Sequence, residues 1–205
     1  TGCNTEIYRN DIKFVGLHAH SVAGSPFDGF GFPQEHMDFA YENGSKALAL
    51  TDHGNMNGFA YQVLHSKKMK SQGKEFKPIF GLEAYFIEDV DEWREKYNAL
   101  KQDKKKARAL NNDQSGTNIE NDGEAKSKSK NEINRSRHLV LLAMNQEGLN
   151  NIFKLVSESY SEAYFYRKPR IDLGLLRKYG SGVIASSACL GGVYAGCYWE
   201  NREAG

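Results

Sequence analysis

The chain has 205 residues, of which 40% are hydrophobic and 26% charged, an ordinary composition for a globular protein. Its formal net charge is +1, which excludes a bulk electrostatic attraction to nucleic acid and restricts such contacts to a local patch or to other parts of a larger protein. Three scattered cysteines argue against a disulfide framework and are typical of a reducing cytoplasm. No apolar run of roughly 18 residues is present, which excludes a membrane-spanning helix.

The first part of the chain predicts strands that alternate with helices. Three apolar runs predict strands over residues 12–20, 46–53 and 78–87. Helices fit residues 34–43 and 59–72 between them. Pro33 stands at the start of the first helix and Gly44 just past its end, which is the usual asymmetry of helix termini.

A charged segment over residues 88–135 interrupts this pattern. We interpret residues 88–110 as a solvated helix and residues 111–135 as a disordered insertion, because only two apolar residues occur between positions 111 and 131. An alternative is that its basic run binds DNA, but the acidic residues of the segment largely cancel its lysines.

The regular pattern resumes after the insertion. Apolar runs predict a fourth strand over residues 138–145 and a fifth over residues 182–192, which ends in a Gly-Gly turn. Between them, residues 149–164 predict an amphipathic helix, and residues 167–180 predict a loop and a short helix. This alternation predicts βαβ units and a parallel sheet, either closed as a barrel or open.

Side chains that can bind metals gather at the predicted strand ends. His18 and His20 project from one face of the first strand, roughly 6.5 Å apart along it. The further candidates on successive strands are Asp52, His53, Glu83, His138 and Cys189. Because the carboxyl ends of parallel strands meet at one edge, we expect these side chains to converge, although His138 begins its strand rather than ending it.

These residue types favour a multi-metal, phosphate-ester site. Imidazole, carboxylate and thiolate groups are ligands for zinc, manganese or iron, and a carboxylate such as Glu83 can bridge two ions. Two or three ions roughly 3.5–4 Å apart can bind a phosphate together with the water that attacks it. A lone histidine in an apolar strand is more often structural, and Cys189 alone is more often a small buried hydrophobe. The prediction therefore depends on the conjunction of these positions.

Five segments of the sequence resemble one known family. They are residues 14–21 (FVGLHAHS), 47–58 (ALALTDHGNMNG), 77–85 (KPIFGLEAY), 137–160 (RHLVLLAMNQEGLNNIFKLVSESY) and 166–192 (YRKPRIDLGLLRKYGSGVIASSACLGG). The family is the PHP (polymerase and histidinol phosphatase) family. The TDHGN, KPRID and CLGG stretches resemble in particular its members at the N-terminus of bacterial DNA polymerase III α subunits. On this resemblance we expect residues 1–205 to be part of a PHP domain that contains the insertion.

The resemblance implies a fold and a ligand set. The fold would be α/β, a distorted (β/α)7 TIM-like barrel, incomplete at the C-terminus because the family's last metal motif, Asp-x-His, lies beyond this sequence. Catalytic roles would fall to Glu83 and to Asp52, which would orient His53 or act as a base. Two or three divalent ions are implied, of zinc, manganese or iron, with magnesium as an alternative. Their ligands would be His18, His20, Asp28, His53, Glu83, His138 and Cys189.

The resemblance also implies a function. The chain would be a fragment of a cytoplasmic DNA-directed DNA polymerase, a nucleotidyltransferase, that cannot polymerise alone because the polymerase aspartates belong to a later domain. Its own activity would be metal-dependent 3′–5′ exonuclease proofreading. The partners would be the DNA primer 3′ end and other replisome subunits, with no membrane contact. Two alternatives stay open: a catalytically silent scaffold or docking module, and a free-standing phosphatase for a small phosphate monoester, against which the KPRID and CLGG stretches argue.

Overall fold

The fold is built around one long strand. The computed structural model of the chain describes residues 14–112, 133 and 135–200. The strands within them are β1 (Ala47–Leu50), β2 (Lys77–Phe86), β3 (Arg137–Ala143), β4 (Phe165–Tyr166), β5 (Lys168–Ile171) and β6 (Val183–Ser187). The helices are α1 (Pro33–Glu42), α2 (Phe59–Ser71), α3 (Val90–Asn112), α4 (Gln146–Ser159), α5 (Leu173–Tyr179) and α6 (Val193–Glu200). None of the described helices has a stretch with the length and hydropathy needed to cross a membrane.

Strand β2 has different neighbours along its length. β1 runs parallel to its first half, with Ala47 beside Lys77, and β5 runs parallel to its end, with Arg170 beside Tyr85. β3 runs antiparallel to the second half of β2, and β6 runs antiparallel to β3. The described sheet is therefore mixed, and the prediction of an all-parallel sheet is wrong for β3.

The reversed direction of β3 explains how His138 reaches the predicted site. In a parallel sheet, the first residue of a strand lies at the edge opposite to the carboxyl ends of its neighbours. In the antiparallel pair, His138 instead lies beside Tyr85, near the carboxyl end of β2. β6 is reversed again with respect to β3, so it runs in the direction of β2 and ends near the same edge. There His138 forms an isolated bridge to Gly192.

The main core lies between the sheet and helix α4. Ile152 and Leu155 of α4 are fully buried and pack in one cluster with Leu82 of β2 and Leu141 of β3. Burial of each such side chain contributes about 1.5–3 kcal/mol. Because side chains alternate along a strand, the packing of Leu82 in this core places Glu83 on the opposite face of β2.

Asp172 joins two helices at the end of β5. Its Oδ1 accepts a hydrogen bond from the N–H of Leu175 and caps α5, while its Oδ2 accepts one from the N–H of Val90, the first residue of α3. The carboxylate is buried. The aspartate of the KPRID stretch therefore has a structural use in fixing where α3 and α5 begin.

Most predicted elements are present within a few residues, but three predictions need correction. The described part of the predicted first strand forms only an isolated bridge, from Gly16 to Leu48. Strand β5 lies where a loop was predicted, because Pro169 and the charged residues around it hide the alternation of a strand, and β4 lies between two predicted elements. Helix α6 follows the Gly-Gly turn and was not predicted.

The predicted insertion is described only at its ends. α3 extends to Asn112, two residues into the segment that was predicted to be disordered. Ile133 is buried, and its carbonyl accepts a 2.8 Å hydrogen bond from the indole N–H of Trp93, so this end of the insertion packs on α3. Residues 113–132 and 134 lie outside the described residues, and for them the prediction stays a prediction.

Candidate metal centre

A buried carboxylate surrounded by four imidazoles lies at the carboxyl end of β2. Glu83 is only 1% exposed. Its Oε2 lies 2.5 Å from His18 Nε2 and 3.0 Å from His20 Nε2. Its Oε1 contacts His138 Nδ1 directly and lies 3.7 Å from His53 Nδ1. The structure thus brings these four predicted ligands together around a fifth.

Backbone pairing places the histidines beside Glu83. The N–H of Thr51 donates to the carbonyl of Ala19, which aligns the His-Ala-His segment with the end of β1. His53 forms a parallel bridge to Glu83, and the N–H of Gly54 donates to the Glu83 carbonyl. Gly54 has φ of +66°, and a Cβ there would lie 2.6 Å from Pro169 Cγ. Glycine is therefore required directly after His53.

Asp28 and His53 form a second part of the site, nearer to solvent. Asp28 Oδ2 lies 2.7 Å from His53 Nε2, and the Asp28 side chain is 54% exposed. The rings of His20 and His53 stack with their centroids 4.2 Å apart. His53, whose Nδ1 lies 3.7 Å from Glu83 Oε1, therefore links the exposed carboxylate to the buried one.

Asp52 organises the loop that carries Asp28. Its Oδ1 accepts hydrogen bonds from the Ser21 N–H and the Ser25 hydroxyl, and its Oδ2 accepts one from the Ser21 hydroxyl. The Ser25 hydroxyl in turn accepts the N–H of His53 at 3.0 Å. Asp52 is 3% exposed. The expectation that Asp52 orients His53 fits this chain of hydrogen bonds, whereas a base would need an oxygen that is not already engaged in the loop.

Three buried atoms of the site lack a hydrogen-bond partner within the described structure. They are His20 Nδ1, His53 Nδ1 and Glu83 Oε1, the last of which touches His138 without forming a hydrogen bond. Each unpaired buried polar atom costs about 1–3 kcal/mol, so three in one site call for compensation. Divalent cations supply it, because imidazole nitrogens and carboxylate oxygens are their ligands.

The donor atoms form three overlapping groups, and within each group they lie within 4.8 Å of one another. One group is His18, His20 and Glu83; the second is His20, Asp28 and His53; the third is His53, Glu83 and His138. Neighbouring groups share a residue, so the donor set fits adjacent ions rather than separate sites.

These contacts shift the pKa values of Glu83 and His20. Burial works to raise the pKa of Glu83, but contacts with His138, His20 and His18 prevail and hold it well below its usual range. The hydrogen bond to Glu83 raises the pKa of His20. Glu83 is therefore ionised at neutral pH, and a cation that binds here competes with a proton on His20.

Cys189 lies at the rim of this centre. Its Sγ is 3.6 Å from His138 Nδ1, and the N–H of Gly191 donates to it at 3.3 Å. The residue is exposed and belongs to none of the three donor groups. The turn after β6 therefore brings the thiol to the His138 side without placing it among the closest donors.

Two residues of the site's wall were missed by the sequence reasoning. The ring of Tyr85 lies 5.9 Å from that of His53 and 5.4 Å from that of His138. Lys168 Nζ lies 4.2 Å from the centroid of the Tyr85 ring. Tyr85 lies two residues after Glu83 and therefore on the same face of the strand, so its place in the site could have been predicted from the sequence. Lys168 could not be predicted in this way, because its place in the site depends on the pairing of β5 with β2.

Comparisons with known proteins show clear relatives. The PHP domain profile matches residues 16–203. The DNA polymerase III subunit alpha of Aquifex aeolicus is 36% identical over 181 residues, which make up 88% of this chain and 12% of that protein. The same subunit of Deinococcus radiodurans is 33% identical over 195 residues, 93% of this chain and 12% of that protein. The chain therefore spans about one eighth of these relatives.

Solved structures add little to this relationship. An amidohydrolase from Chromobacterium violaceum aligns over 70% of this chain and 32% of its own, with 16% identity and a TM-score of 0.37, which is a weak structural likeness. The profile match, by contrast, covers most of the sequence and confirms the resemblance of its motifs. The chain belongs to the PHP domain family.

Proposed function

We propose that the chain is the PHP domain of a DNA polymerase III α subunit and that its Glu83-centred site hydrolyses the phosphodiester at a DNA 3′ end. The observation that carries the proposal is the buried Glu83 carboxylate with four imidazoles around it and unpaired atoms at its centre. The names of the relatives support DNA as the substrate over a small phosphate monoester. In the whole cytoplasmic polymerase, the domain would act on the primer 3′ end beside other replisome subunits.

The three donor groups would hold two or three divalent ions of zinc, manganese or iron. Glu83 belongs to two groups and would bridge two ions, and Cys189 would be a further ligand on the His138 side. Bound ions would neutralise charge on the phosphate and lower the pKa of a bound water.

The protein's own part is to keep these donors in place and to keep Glu83 ionised. The low pKa of Glu83 keeps its carboxylate available. Asp52 holds the loop of Asp28 through Ser21 and Ser25, which orients Asp28 and His53 toward each other. The Tyr85 ring covers His53 and His138 on one side and limits the access of water there.

We also propose the distorted (β/α)7 barrel as the complete fold. β6 lies at an open edge of the described sheet, and four of its five residues are exposed. An exposed, unpaired edge is a liability in a stable sheet, so further strands that pair with β6 would explain it.

The function is tested by measuring metal content and hydrolysis on the same samples. The chain, and a version extended at its C-terminus, are loaded with Mn²⁺ or Zn²⁺ and given a 5′-labelled single-stranded oligonucleotide or p-nitrophenyl phosphate. We expect stepwise release of nucleotides from the 3′ end. Faster hydrolysis of the small monoester would favour a phosphatase. If the extended version is folded and metal-loaded but hydrolyses neither substrate, the domain would be a scaffold.

A further inference from the structure

A buried arginine outside the metal centre lacks partners for most of its guanidinium group. Arg170 of β5 is 3% exposed. Its Nε donates to the carbonyl of Tyr164 at 3.0 Å, but Nη1 and Nη2 make no hydrogen bond within the described structure. The guanidinium carbon lies 3.7 Å from the centroid of the Trp93 ring. The side chain is thus held firmly in place, while its two terminal nitrogens are unused.

An arginine in this state is costly. A guanidinium has five N–H donors, and burying it without an anion costs several kcal/mol. Burial lowers the pKa of Arg170 to about 10, and the nearby charge of Arg94 also works to lower it. The group therefore stays charged at neutral pH, and among the residues that the structure describes no carboxylate is paired with it.

A cavity of about 160 Å³ lies beside Arg170, and its described lining is positively charged. The lining consists of Ile133, Ser136, Tyr166, Arg167, Lys168 and Arg170. This described lining contains three cationic side chains and no carboxylate. This volume is several times that of a single water, so the cavity has room for a tetrahedral anion.

The turn between β4 and β5 holds its middle residue in an unfavourable conformation. Arg167 has φ of +60° and is the one non-glycine residue of the described structure with a positive φ. Such a conformation costs about 1–3 kcal/mol, and residues held in it cluster at catalytic and ligand-binding sites. Its guanidinium lies 5.6 Å from the centroid of the Tyr166 ring, on the lining of the same cavity.

Lys168 connects this cavity to the metal centre. Its Nζ lies over the Tyr85 ring, and that ring also packs against His53 and His138. A second cavity, of about 180 Å³, continues from Tyr166 and Arg167 along α3 and is lined by further lysines and an aromatic ring. Cationic groups interleaved with aromatic rings are the usual surface for single-stranded nucleic acid.

We propose that Arg170, Arg167 and Lys168 form an anion subsite that binds a backbone phosphate of single-stranded nucleic acid, beside the strand end that reaches the Glu83 centre. The assignment of a nucleic-acid strand rests on the proposed function. The anion site itself rests on the unpaired guanidinium and its cationic cavity.

The subsite is tested by binding without metal. The chain is stripped with EDTA, and the fluorescence anisotropy of a labelled oligothymidylate is followed from roughly 50 to 300 mM salt, since counterion release makes phosphate binding weaken over this range. The test variant is Arg167→Gln/Lys168→Gln, because Arg170→Gln also removes packing on Trp93. The control is Lys67→Gln/Lys70→Gln on α2, which removes the same charge from another cationic surface.

We expect the test variant to bind the oligonucleotide about tenfold more weakly, with a salt slope that is smaller by about 0.7 for each phosphate that the variant no longer binds. The control should bind like the wild type. Equal affinity of test variant and wild type, or an equal weakening in the control, would overturn the subsite. Inorganic phosphate that binds the wild type as tightly as the oligonucleotide would overturn its assignment to a nucleic-acid strand.

The two proposals fail separately. Metal-free binding that depends on Arg167 and Lys168, together with no hydrolysis when metal is added, would leave the subsite standing and remove the proposed nuclease. Hydrolysis of the oligonucleotide without a loss of affinity in the test variant would support the proposed nuclease and contradict the subsite.

Discussion

The Nε2 atom of His18 lies 2.5 Å from Oε2 of Glu83, although 65 positions separate the two residues along the chain. The contact exists because His18 follows a segment paired with β1, while Glu83 lies in β2, which β1 also pairs with. A buried carboxylate this close to a ring nitrogen needs positive charge beside it, either a proton on the ring or a cation that both side chains bind. Metal content and the pH dependence of stability distinguish these two states.

Replacement of His18 and His20 together by alanine should abolish metal binding, because both donors of one segment disappear from the Glu83 group. Metal content is measured by elemental analysis after equilibration with Zn²⁺ or Mn²⁺. His65→Ala is the matched control, since His65 lies on α2 and is bonded to Asp38 at 2.8 Å. Full metal content in the double variant would contradict the assignment.

Glu83→Gln should keep part of the metal but lose at least roughly a hundredfold in hydrolysis rate, because a neutral amide bridges two cations poorly. Metal should also stabilise the variant less than the wild type. A ligand present at about 100 times its dissociation constant raises the free energy of unfolding by about 2.7 kcal/mol. Thermal unfolding with and without Zn²⁺ measures this difference, and an equal shift in both proteins would argue against a bridging role.

The metal-free chain should owe part of its stability to the Glu83–His20 pair, within a limited pH window. The pKa of Glu83 is lowered from 4.5, so its contribution is complete above that pH and is lost as the pH falls. The pKa of His20 is raised from 6.5, so its contribution is complete below that pH and is lost as the pH rises through the raised value. The stability difference between wild type and Glu83→Gln should therefore peak between these two values.

Urea unfolding in EDTA across pH 4 to 8, roughly the range spanned by these groups, measures that difference. Zinc affinity should instead rise steadily with pH, because the imidazoles lose their protons. A difference between wild type and variant that keeps growing toward high pH would contradict the pairing.

Asp52→Asn should weaken metal binding because Asp28 and His53 lose their positions. The hydrolysis step itself should not depend on Asp52. An amide in place of the carboxylate loses an acceptor for Ser21 or Ser25 and should cost about 1–3 kcal/mol of stability. If Asp52 positions the loop, higher metal concentration should restore most of the hydrolysis rate. If Asp52 is instead a base, the rate should stay low at saturating metal.

Deletion of most of residues 113–132 should change the unfolding midpoint little, because their composition offers almost nothing to bury. The deletion must end before Ile133, which is buried and bonded to Trp93. Removal of Ile133 as well serves as the comparison and should lower the midpoint. A loss of several degrees from the shorter deletion would show that the segment packs on the domain.

The sequence could predict that His18, His20 and His53 come close to Glu83, because His-x-His and strand-end residues are local patterns. It could not explain His138, whose position requires the antiparallel direction of β3, a property of long-range pairing. Nor could the sequence predict a role for Lys168 or Arg170, because that role depends on the pairing of β5 with β2 and on the cavity next to these residues. Helix α1 was predicted to within one residue at each end because its termini carry local signals, Pro33 and Gly44.

The antiparallel pairing of β2 with β3 also bears on how the family can vary in length. The two strands hold both ends of the α3 segment and its insertion, so the chain between them forms a closed loop. Lengthening such a loop is cheap, since doubling its length costs only about 0.6 kcal/mol in closure entropy. Residues can therefore be added or removed there over evolutionary time while Glu83 and His138 stay side by side.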